Sequence, residues 1–231
     1  MTTAIILAGG LGTRLSSAVP DLPKPMAPIR GRPFLEHQMD FWIGQGVERF
    51  ILSVGYKRQL IMDHFGVQYR GAPVSYAVEE QPLGTGGGLL VAAEGLSEPF
   101  LLLNGDTFFD VDLQAFFAFH RSRGSQWSFA LFRTGETQRF MGMDVAADGR
   151  INSLEPIPEG ANRLANGGVY IVDPAAMAAV SFPQGEKVSL EYELLPAIVR
   201  SGGRLYGVEI PGRFIDIGVP DDYFRAASIL P

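Results

Sequence analysis

Near its N-terminus the sequence combines glycines with two basic side chains in a pattern that favours phosphate binding. The segment GGLGTRL contains Gly9, Gly10 and Gly12, then Arg14, and Lys24 follows ten residues later between two prolines. Glycines let backbone N–H groups approach phosphate oxygens, and an arginine adds a forked, charge-assisted donor. The flanking prolines restrict the backbone that carries Lys24. This spacing predicts a cradle for a triphosphate.

Two familiar phosphate motifs do not match this segment. A dinucleotide fingerprint needs a third glycine where the chain has Leu15, and a Walker loop needs a Gly-Lys pair, which the chain lacks. A Rossmann dehydrogenase is therefore disfavoured. The remaining alternatives are a phosphate turn of another kind and a plain strand–turn–helix connection with solvated charges.

A candidate metal ligand follows an apolar segment in the middle of the chain. Asp106 comes just after the apolar run Phe100–Leu103, where ligands bind in open α/β sheets. A carboxylate beside triphosphate oxygens suits Mg²⁺. The neighbouring acids Asp110 and Asp112 are predicted instead to cap the helix that begins at Leu113.

A second glycine-rich segment, EEQPLGTGGG, spans Glu79–Gly88. Its glycines allow close approach of a flat ring, and Gln81 offers both a donor and an acceptor to the edge of a base. This predicts a nucleobase site, with a flexible loop before the next helix as the alternative.

The elements that position these residues alternate between strands and helices. Predicted strands are Thr3–Ala8, Arg49–Val54, Val74–Val78, Phe100–Leu103 and Trp127–Phe132, and predicted helices are Leu35–Ile43, Gln59–Phe65 and Leu113–His120. The second half is less regular, with strands predicted at Met141–Val145, Ile151–Leu154, Val169–Val172 and Leu205–Ile210 and a helix near Leu190–Val199. The alternation predicts one Rossmann-like α/β domain over residues 1–231, with a mainly parallel central sheet, helices on both faces and a more mixed second half.

Composition narrows the classes of partner. The 231 residues are 46% hydrophobic and 19% charged, as in ordinary globular proteins, and the net charge of −6 argues against nucleic acid. The first 33 residues are locally basic, since they contain four basic residues and only one acidic residue, Asp21. With no cysteine, no basic leader and no long apolar run, we expect a cytoplasmic protein that does not span a membrane.

The sequence GGLGTRL…PKP resembles the signature of the sugar-phosphate nucleotidyltransferases. The resemblance implies condensation of a nucleoside triphosphate with a sugar 1-phosphate, giving a nucleotide sugar and pyrophosphate. The segments EEQPLGTGGG, LNGD and NGGVY look closest to those of bacterial D-glycero-α-D-manno-heptose 1-phosphate guanylyltransferases. That resemblance implies GTP as the nucleotide donor and a GDP-heptose as the product, for capsule or other surface polysaccharide. Mannose 1-phosphate guanylyltransferases and the enzymes that use dTTP or UTP on glucose 1-phosphate are the alternatives, with a nucleotide-sugar sensor as a non-enzyme alternative and a homodimer left open.

The resemblance also implies roles for individual residues. Arg14 and Lys24 are the implied catalytic residues, and Asp106 and Asp216, the latter in a D-x-G context, are the implied Mg²⁺ ligands. Asp221 and Asp222 are predicted as first-turn acids of the last helix instead. The implied nucleotide-binding residues, within a nucleotide-binding part of about residues 1–112, are Leu7, Ala8, Gly9, Gly10, Gly12, Thr13, Arg14, Gln81, Gly84, Thr85, Gly86 and Asp106.

The sugar site is implied in the remaining part, about residues 113–231. Its implied members are Gly142, Glu155, Asn166, Gly167 and Glu191. Short side chains at Asn166–Gly168 are expected to leave room for a bulky C6 substituent. The sequence lacks the lysine that many members have after Glu155, and Arg163 is the candidate substitute at the sugar phosphate. The histidines lack metal-ligand spacing and are predicted to be structural; they are His37, His64 and His120.

Overall fold

A computed structural model describes residues 1–10, 15, 18–136, 139–140, 142–154, 163–183 and 185–231. The strands among these residues are β1 Thr3–Leu7, β2 Pro28–Ile29, β3 Arg32–Pro33, β4 Arg49–Val54, β5 Gln68–Tyr69, β6 Ala72–Val78, β7 Phe100–Asn104, β8 Thr107–Phe109, β9 Trp127–Thr134, β10 Asp144–Val145, β11 Ile151–Ser153, β12 Arg163–Val172, β13 Leu205–Glu209 and β14 Phe214–Asp216.

The α-helices of the described residues are α1 Phe34–Gly44, α2 Arg58–Phe65, α3 Gly84–Ala92, α4 Leu113–Ser122, α5 Pro174–Ala178, α6 Leu195–Arg200 and α7 Pro220–Ile229. A short 3₁₀ turn covers Lys24–Met26, and a π-helical turn at Leu190–Leu194 leads into α6. No helix in the described ranges is long and apolar enough to cross a membrane.

Eight strands form one twisted sheet in the order β13-β9-β12-β7-β1-β4-β6-β5. The pairs β7–β1, β1–β4 and β4–β6 are parallel, so the C-terminal ends of these four strands lie at one edge. β12 is antiparallel to both of its neighbours, and β9 pairs with β13 in parallel. The predicted fold class is confirmed, with the mixed pairing concentrated in the second half of the chain.

Helices cover both faces of the sheet because its central strands are apolar on both sides. On one face α1 contributes Leu35, Met39 and Trp42 to a buried cluster with strands β1, β4 and β7. On the other face α3 and α6 contribute Leu89 and Ile198 to a second cluster. A third, smaller cluster joins the two ends of the chain and consists of Leu15, Ala27, Ile29, Phe34, Phe108, Ile215, Ile217, Ala226 and Leu230.

Three local expectations were wrong. The flexible loop named as the alternative for the second glycine-rich segment gives way to helix from Gly84, because its glycines allow α3 to begin close to a neighbouring backbone. Asn166–Gly168 lie inside β12 and do not precede it, since the strand begins at Arg163 and tolerates an irregularity opposite β9. Of the predicted strand Met141–Val145, Asp144–Val145 form a strand and Gly142 makes a single bridge to Ala165, while Met141 lies outside the described residues.

Candidate active site

Lys24 and Asp106 meet at the sheet edge where β1 and β7 end. Lys24 opens the 3₁₀ turn after Pro23, and its Nζ lies 3.0 Å from Asp106 Oδ2. The lysine side chain is only 12% exposed and the carboxylate 31% exposed. Asp106 follows Gly105, where a Cβ would lie 2.4 Å from Leu7 O, so glycine allows the chain after β7 to pass against the end of β1.

Asp216 joins this pair from the C-terminal part of the chain. β14 pairs with β8 so that Asp216 lies opposite Thr107, directly after Asp106. The Gly218 N–H donates to Asp216 Oδ1 at 2.6 Å. Burial and the nearby charge of Asp106 raise the pKa of Asp216, while Gly218 and the cations Arg139 and Lys24 oppose that rise.

Arg139 is a further member of this cluster that the sequence reasoning missed. Its Nη2 donates to Asp216 O at 3.0 Å and lies 3.4 Å from Asp216 Oδ2, while Nη1 contacts Asp222. Asp222 is buried and also accepts from Arg225 at 2.8 Å. The predicted first-turn position of Asp222 in α7 is correct. An isolated arginine between β9 and β10 carries no sequence signal for such a contact, because its partners lie about eighty residues away.

The first glycine-rich segment leaves β1 at the same edge. Leu7 ends the strand, the Ala8 N–H donates to Ser53 O at 2.8 Å, and Gly9 accepts from Tyr56 N at 3.4 Å. Gly10 is exposed. The remaining predicted residues of this segment lie outside the described residues; they are Gly12, Thr13 and Arg14.

The second glycine-rich segment packs against the chain itself. A Cβ at Gly84 would lie 2.6 Å from Val188 O, and one at Gly86 would lie 3.0 Å from Val188 Cγ1. Gly86 and Gly87 also donate their N–H groups to Val188 O, at 2.9 and 3.1 Å. Packing against Val188 therefore explains why these positions are glycine, whether or not a nucleobase binds there.

Gln81, Thr85 and Glu191 lie on the solvent side of this contact. The exposed Gln81 donates to Gly185 O at 3.4 Å. Thr85 Oγ1 accepts from Leu190 N at 2.9 Å and donates to Glu191 Oε2 at 3.3 Å. Glu191, predicted at a helix start, lies in the π-helical turn. The structure thus brings a predicted sugar residue to a predicted nucleotide residue.

Asn166 and Gly167 lie in the irregular part of β12. Asn166 Oδ1 accepts from Gly168 N at 3.1 Å, and its Nδ2 donates to the Tyr170 hydroxyl at 2.7 Å. Burial, followed by the charges of Glu191 and Asp106, raises the pKa of Tyr170, so this phenol stays protonated at neutral pH.

The glycines beside Asn166 do not open space in the way that the sequence suggested. A Cβ at Gly167 would lie 2.4 Å from a ring carbon of Phe109, and one at Gly168 would lie 2.6 Å from Thr107 Oγ1. Both directions are filled by protein atoms. Room for a bulky substituent therefore does not come from these glycines.

Gly142 and Arg163 lie together beside β12. Gly142 forms an isolated bridge to Ala165, and a Cβ there would lie 2.7 Å from Arg163 Cδ. Arg163 Nη2 donates to Phe140 O at 3.4 Å. Glu155 lies outside the described residues.

Asp110, Asp112 and the three histidines have structural partners. Asp112 accepts from Ala115 N and caps α4 as predicted, but Asp110 does not cap it, because its carboxylate pairs with Arg213 at 2.9 Å. The three histidines each contact a protein group: His37 the carbonyl of Ile29, His64 the carboxylate of Glu36 and His120 the hydroxyl of Ser128.

The donor set around Asp106 and Asp216 fits a hard divalent cation. The two carboxylates lie close enough for Asp106 to raise the pKa of Asp216, and Lys24 already supplies a positive charge against Asp106. Nowhere in the described ranges do three or more ligating side chains gather. Two carboxylates would thus leave the other coordination positions to phosphate oxygens and water, an arrangement that Mg²⁺ favours.

The chain is similar to known proteins in both sequence and structure. The chain is 40% identical over 228 residues, 98% of its length and 97% of the relative's, to the D-glycero-α-D-manno-heptose 1-phosphate guanylyltransferase of Aneurinibacillus thermoaerophilus. It is 36% identical to the Campylobacter jejuni enzyme of the same name, covering 96% of this chain and 97% of that enzyme. The crystal structure of HddC from Yersinia pseudotuberculosis complexed with GMP-PN superposes with a TM-score of 0.84 at 33% identity, covering 99% of both chains.

The family assignment rests on nearly the whole sequence. Residues 3–231 match the nucleotidyl transferase family. This range includes both glycine-rich segments and both carboxylates of the candidate metal site, and it confirms the resemblance first drawn from GGLGTRL…PKP. The chain therefore belongs to the nucleotidyl transferase family.

Proposed function

We propose that the protein transfers GMP from GTP to D-glycero-α-D-manno-heptose 1-phosphate, forming a GDP-heptose and releasing pyrophosphate. The observation that carries the reaction class is the meeting of Lys24, Asp106 and Asp216 at the end of β1. The choice of guanine and heptose is supported by the names of the two relatives and by the GMP-PN complex of HddC. The proposal places the reaction in the cytoplasm, upstream of a surface polysaccharide.

The chemistry needs no general base, because a sugar 1-phosphate is already anionic at neutral pH. A phosphate oxygen of the sugar attacks the α-phosphorus, and the bond from that phosphorus to the bridging oxygen breaks. Pyrophosphate leaves with the bonding electrons. Catalysis then depends on positioning and on stabilising negative charge.

Lys24 supplies that stabilisation from a fixed position. Its short 3₁₀ turn between prolines and its low exposure hold the ammonium group beside Asp106. We assign it to the α-phosphate and the incoming sugar phosphate, where negative charge accumulates. Arg14 is assigned to the leaving β- and γ-phosphates on the basis of the sequence motif alone.

Asp106 and Asp216 are the proposed ligands of Mg²⁺. Bound there, the ion would supply positive charge to phosphate oxygens. Gly218 and Arg139 hold the Asp216 carboxylate from the protein side, so its orientation is set before substrate arrives.

The two halves of the chain have different proposed tasks within one domain. Residues of about 1–112 would bind the nucleotide through Leu7–Gly10, the Gly12–Arg14 segment and the Gln81–Gly86 segment. Residues of about 113–231 would bind the sugar through Gly142, Glu155, Asn166, Gly167 and Glu191. The Thr85–Glu191 hydrogen bond supports the proposal that both groups line one active site, since these two residues are in contact.

A pyrophosphate-release assay over a grid of substrates tests the proposal. The four nucleoside triphosphates are each combined with D-glycero-α-D-manno-heptose, mannose and glucose 1-phosphates. GTP with the heptose should give the highest kcat/KM, and mannose 1-phosphate should be a weaker substrate. One well-paired hydroxyl contributes about 0.5–1.5 kcal/mol, which corresponds to a modest preference.

The grid separates the substrate assignment from the reaction class. A higher kcat/KM for dTTP or UTP with glucose 1-phosphate would reject GTP and heptose but keep the nucleotidyl transfer. Inactivity with every pair, while nucleotide sugars still bind, would reject the enzyme and favour a sensor.

A further inference from the structure

The side chain of Glu79 lies where the two glycine-rich segments approach each other. Glu79 directly follows β6 and is half-buried. Its Oε1 accepts a hydrogen bond from Ser53 Oγ at 3.1 Å, and its Oε2 accepts one from Leu83 N at 2.9 Å. Ser53 belongs to β4 and Leu83 is the residue before α3. One carboxylate thus connects a central strand to the start of the helix.

Two glycines leave the space that this carboxylate occupies. A Cβ at Gly9, in the first glycine-rich segment, would lie 2.5 Å from Glu79 Oε1. A Cβ at Gly88, in the second, would lie 2.7 Å from the same oxygen and 2.7 Å from Ser53 Oγ. Any larger residue at either position would displace the carboxylate.

The backbone of Glu79 is also held on both sides. Its N–H donates to Val54 O at 2.8 Å, and its carbonyl accepts from Arg58 at 3.2 Å. The side chain therefore projects from a fixed point toward the protein, where its hydrogen bonds are made. Because both carboxylate oxygens are hydrogen-bonded to protein groups, any effect of Glu79 on substrate binding is indirect and passes through the residues that it contacts.

We propose that Glu79 is a positioning residue for the nucleoside triphosphate. It sets the spacing between Ala8–Gly10 at the end of β1, which the proposed function assigns to the nucleotide, and the start of α3, which follows Gln81. The inference deepens the proposed function and rests on it. Glu79 affects GTP binding through the geometry of its hydrogen bonds and not through its negative charge, because a negative charge near a triphosphate does not favour binding.

This distinction predicts different results for two substitutions. In Glu79→Gln the amide oxygen still accepts from Leu83 N, and the amide nitrogen donates to Ser53 Oγ, which is also an acceptor. In Glu79→Ala both hydrogen bonds are lost. Gly88→Ala keeps the carboxylate but moves it, and it also favours helix, because alanine has the higher helix propensity.

The experiment is calorimetric titration of the full-length protein with Mg²⁺-GTP in the absence of sugar phosphate. We expect Glu79→Ala and Gly88→Ala to raise the Kd for GTP about tenfold, and Glu79→Gln to stay within about threefold of wild type. Glu94→Ala is the matched control, since Glu94 is exposed just beyond α3. The KM for sugar 1-phosphate at saturating GTP should change in none of them.

Thermal unfolding separates positioning from loss of fold. Gly88→Ala should still unfold in one cooperative transition well above the assay temperature, because its helix propensity offsets part of the contact with Glu79 and Ser53, while its GTP binding is weakened; loss of fold does not produce this combination. Wild-type GTP affinity in Gly88→Ala would overturn the inference, even if Glu79→Ala failed to fold. Glu79→Gln binding as weakly as Glu79→Ala would also overturn it. A wild-type protein that binds none of the four nucleotides would instead refute the proposed function.

Discussion

Lys24 and Asp106 form an ion pair, which substrate and metal would rearrange if they bind as proposed. At 3.0 Å the ammonium group satisfies one carboxylate oxygen, yet 31% of the Asp106 side chain stays exposed and open to further partners. Asp216 is more enclosed, and it is held by Gly218 and Arg139. A divalent cation between the two carboxylates would compete with Lys24 for Asp106, which leaves the lysine available to phosphate.

Replacing either candidate metal ligand should abolish most activity without unfolding the protein. We expect Asp106→Asn and Asp216→Asn each to lower kcat by about 100-fold or more, because the amide is a neutral and weaker ligand for a hard cation. Pyrophosphate release at saturating Mg²⁺ measures this, with circular dichroism as the check on folding. Asp110→Asn is the control, since Asp110 pairs with Arg213. Near wild-type turnover in either ligand variant would show that its carboxylate does not hold the metal.

Removing the charge of Lys24 should affect turnover more than nucleotide binding. We expect Lys24→Ala to lower kcat about 100-fold while the Kd for GTP changes by less than about fivefold, because charge at the α-phosphate is greatest in the transition state. Steady-state kinetics and calorimetry give the two values. The control Lys57→Ala, which removes a half-buried lysine bonded to Asp21 O, should behave as wild type. An unchanged kcat with a raised KM would mean that Lys24 binds only the ground state.

At the scale of elements, an irregularity interrupts the pairing of β12 with β9. Opposite β9 the register shifts between Asn166 and Tyr170, and the Asn166 side chain bridges the shift through Gly168 N and the Tyr170 hydroxyl. Gly168 has φ +70°, a conformation that favours glycine. The same stretch that exposes Asn166 therefore depends on one glycine and one buried phenol.

Gly168→Ala should destabilise the protein through this irregularity. Alanine would adopt a strained positive φ, and its Cβ would lie 2.6 Å from Thr107 Oγ1, so we expect a loss of about 1–3 kcal/mol in the free energy of unfolding. Urea denaturation measures it. Gly44→Ala in α1 is the control, because its Cβ would meet no atom within 4 Å and alanine favours helix. Equal stability of the two variants would contradict the strain at Gly168.

His120 in α4 should make the fold sensitive to mild acid. Burial lowers the pKa of His120 to about 4, whereas an unfolded histidine titrates near 6.5. Between these values the unfolded chain binds the additional proton, so stability should fall as the pH falls from 6.5 toward 4, by at most about 1.4 kcal/mol per pH unit from this residue.

A substitution at His120 isolates this contribution. His120→Asn keeps a polar partner for Ser128 but cannot be protonated. Urea denaturation at pH 7 and pH 5 should show a loss of stability in the wild type that exceeds the loss in the variant by about 1–2 kcal/mol. Equal losses would mean that His120 is protonated in the folded protein.

At the scale of the whole molecule, the two halves of the chain share one sheet. β12 from the second half pairs with β7 from the first, and β14 pairs with β8. The cluster of buried residues that joins the chain ends packs Ile215 and Ala226 against Phe34 and Phe108. Neither half buries its apolar surface alone, so we expect them to unfold together.

The two tryptophans test this expectation, because one lies in each half. Trp42 in α1 and Trp127 in β9 are both buried, in the clusters on opposite faces of the sheet. The single-tryptophan variants Trp127→Phe and Trp42→Phe report the two halves separately. Within each variant, the fluorescence transition in urea should coincide with the circular dichroism transition. Separate transitions would show that the halves are independent units.

The sequence by itself determined the family, the fold class and most of the strands. Arg49–Val54 was predicted with its exact bounds, and GGLGTRL…PKP pointed to the family that the comparisons confirm. These features are local: alternating apolar runs, glycines at a strand end and a lysine between prolines are visible within a few residues. Asp106 and Asp216 each lie in a short motif next to a strand; the structure brings them near each other, and their role as metal ligands stays a prediction.

Only the tertiary structure decided which groups share a site. Arg139 contacts Asp216, Glu79 contacts Ser53, and Thr85 contacts Glu191, in each case across at least 26 residues of chain. The glycines of the second segment were predicted to allow close approach of a flat ring, which stays a prediction, and in the structure the missing side chain of Gly84 makes room for Val188 O. The sequence shows that the side chain at such a position is small. What fills the space depends on strands and helices brought together by burial of the core, and that information exists only in the folded chain.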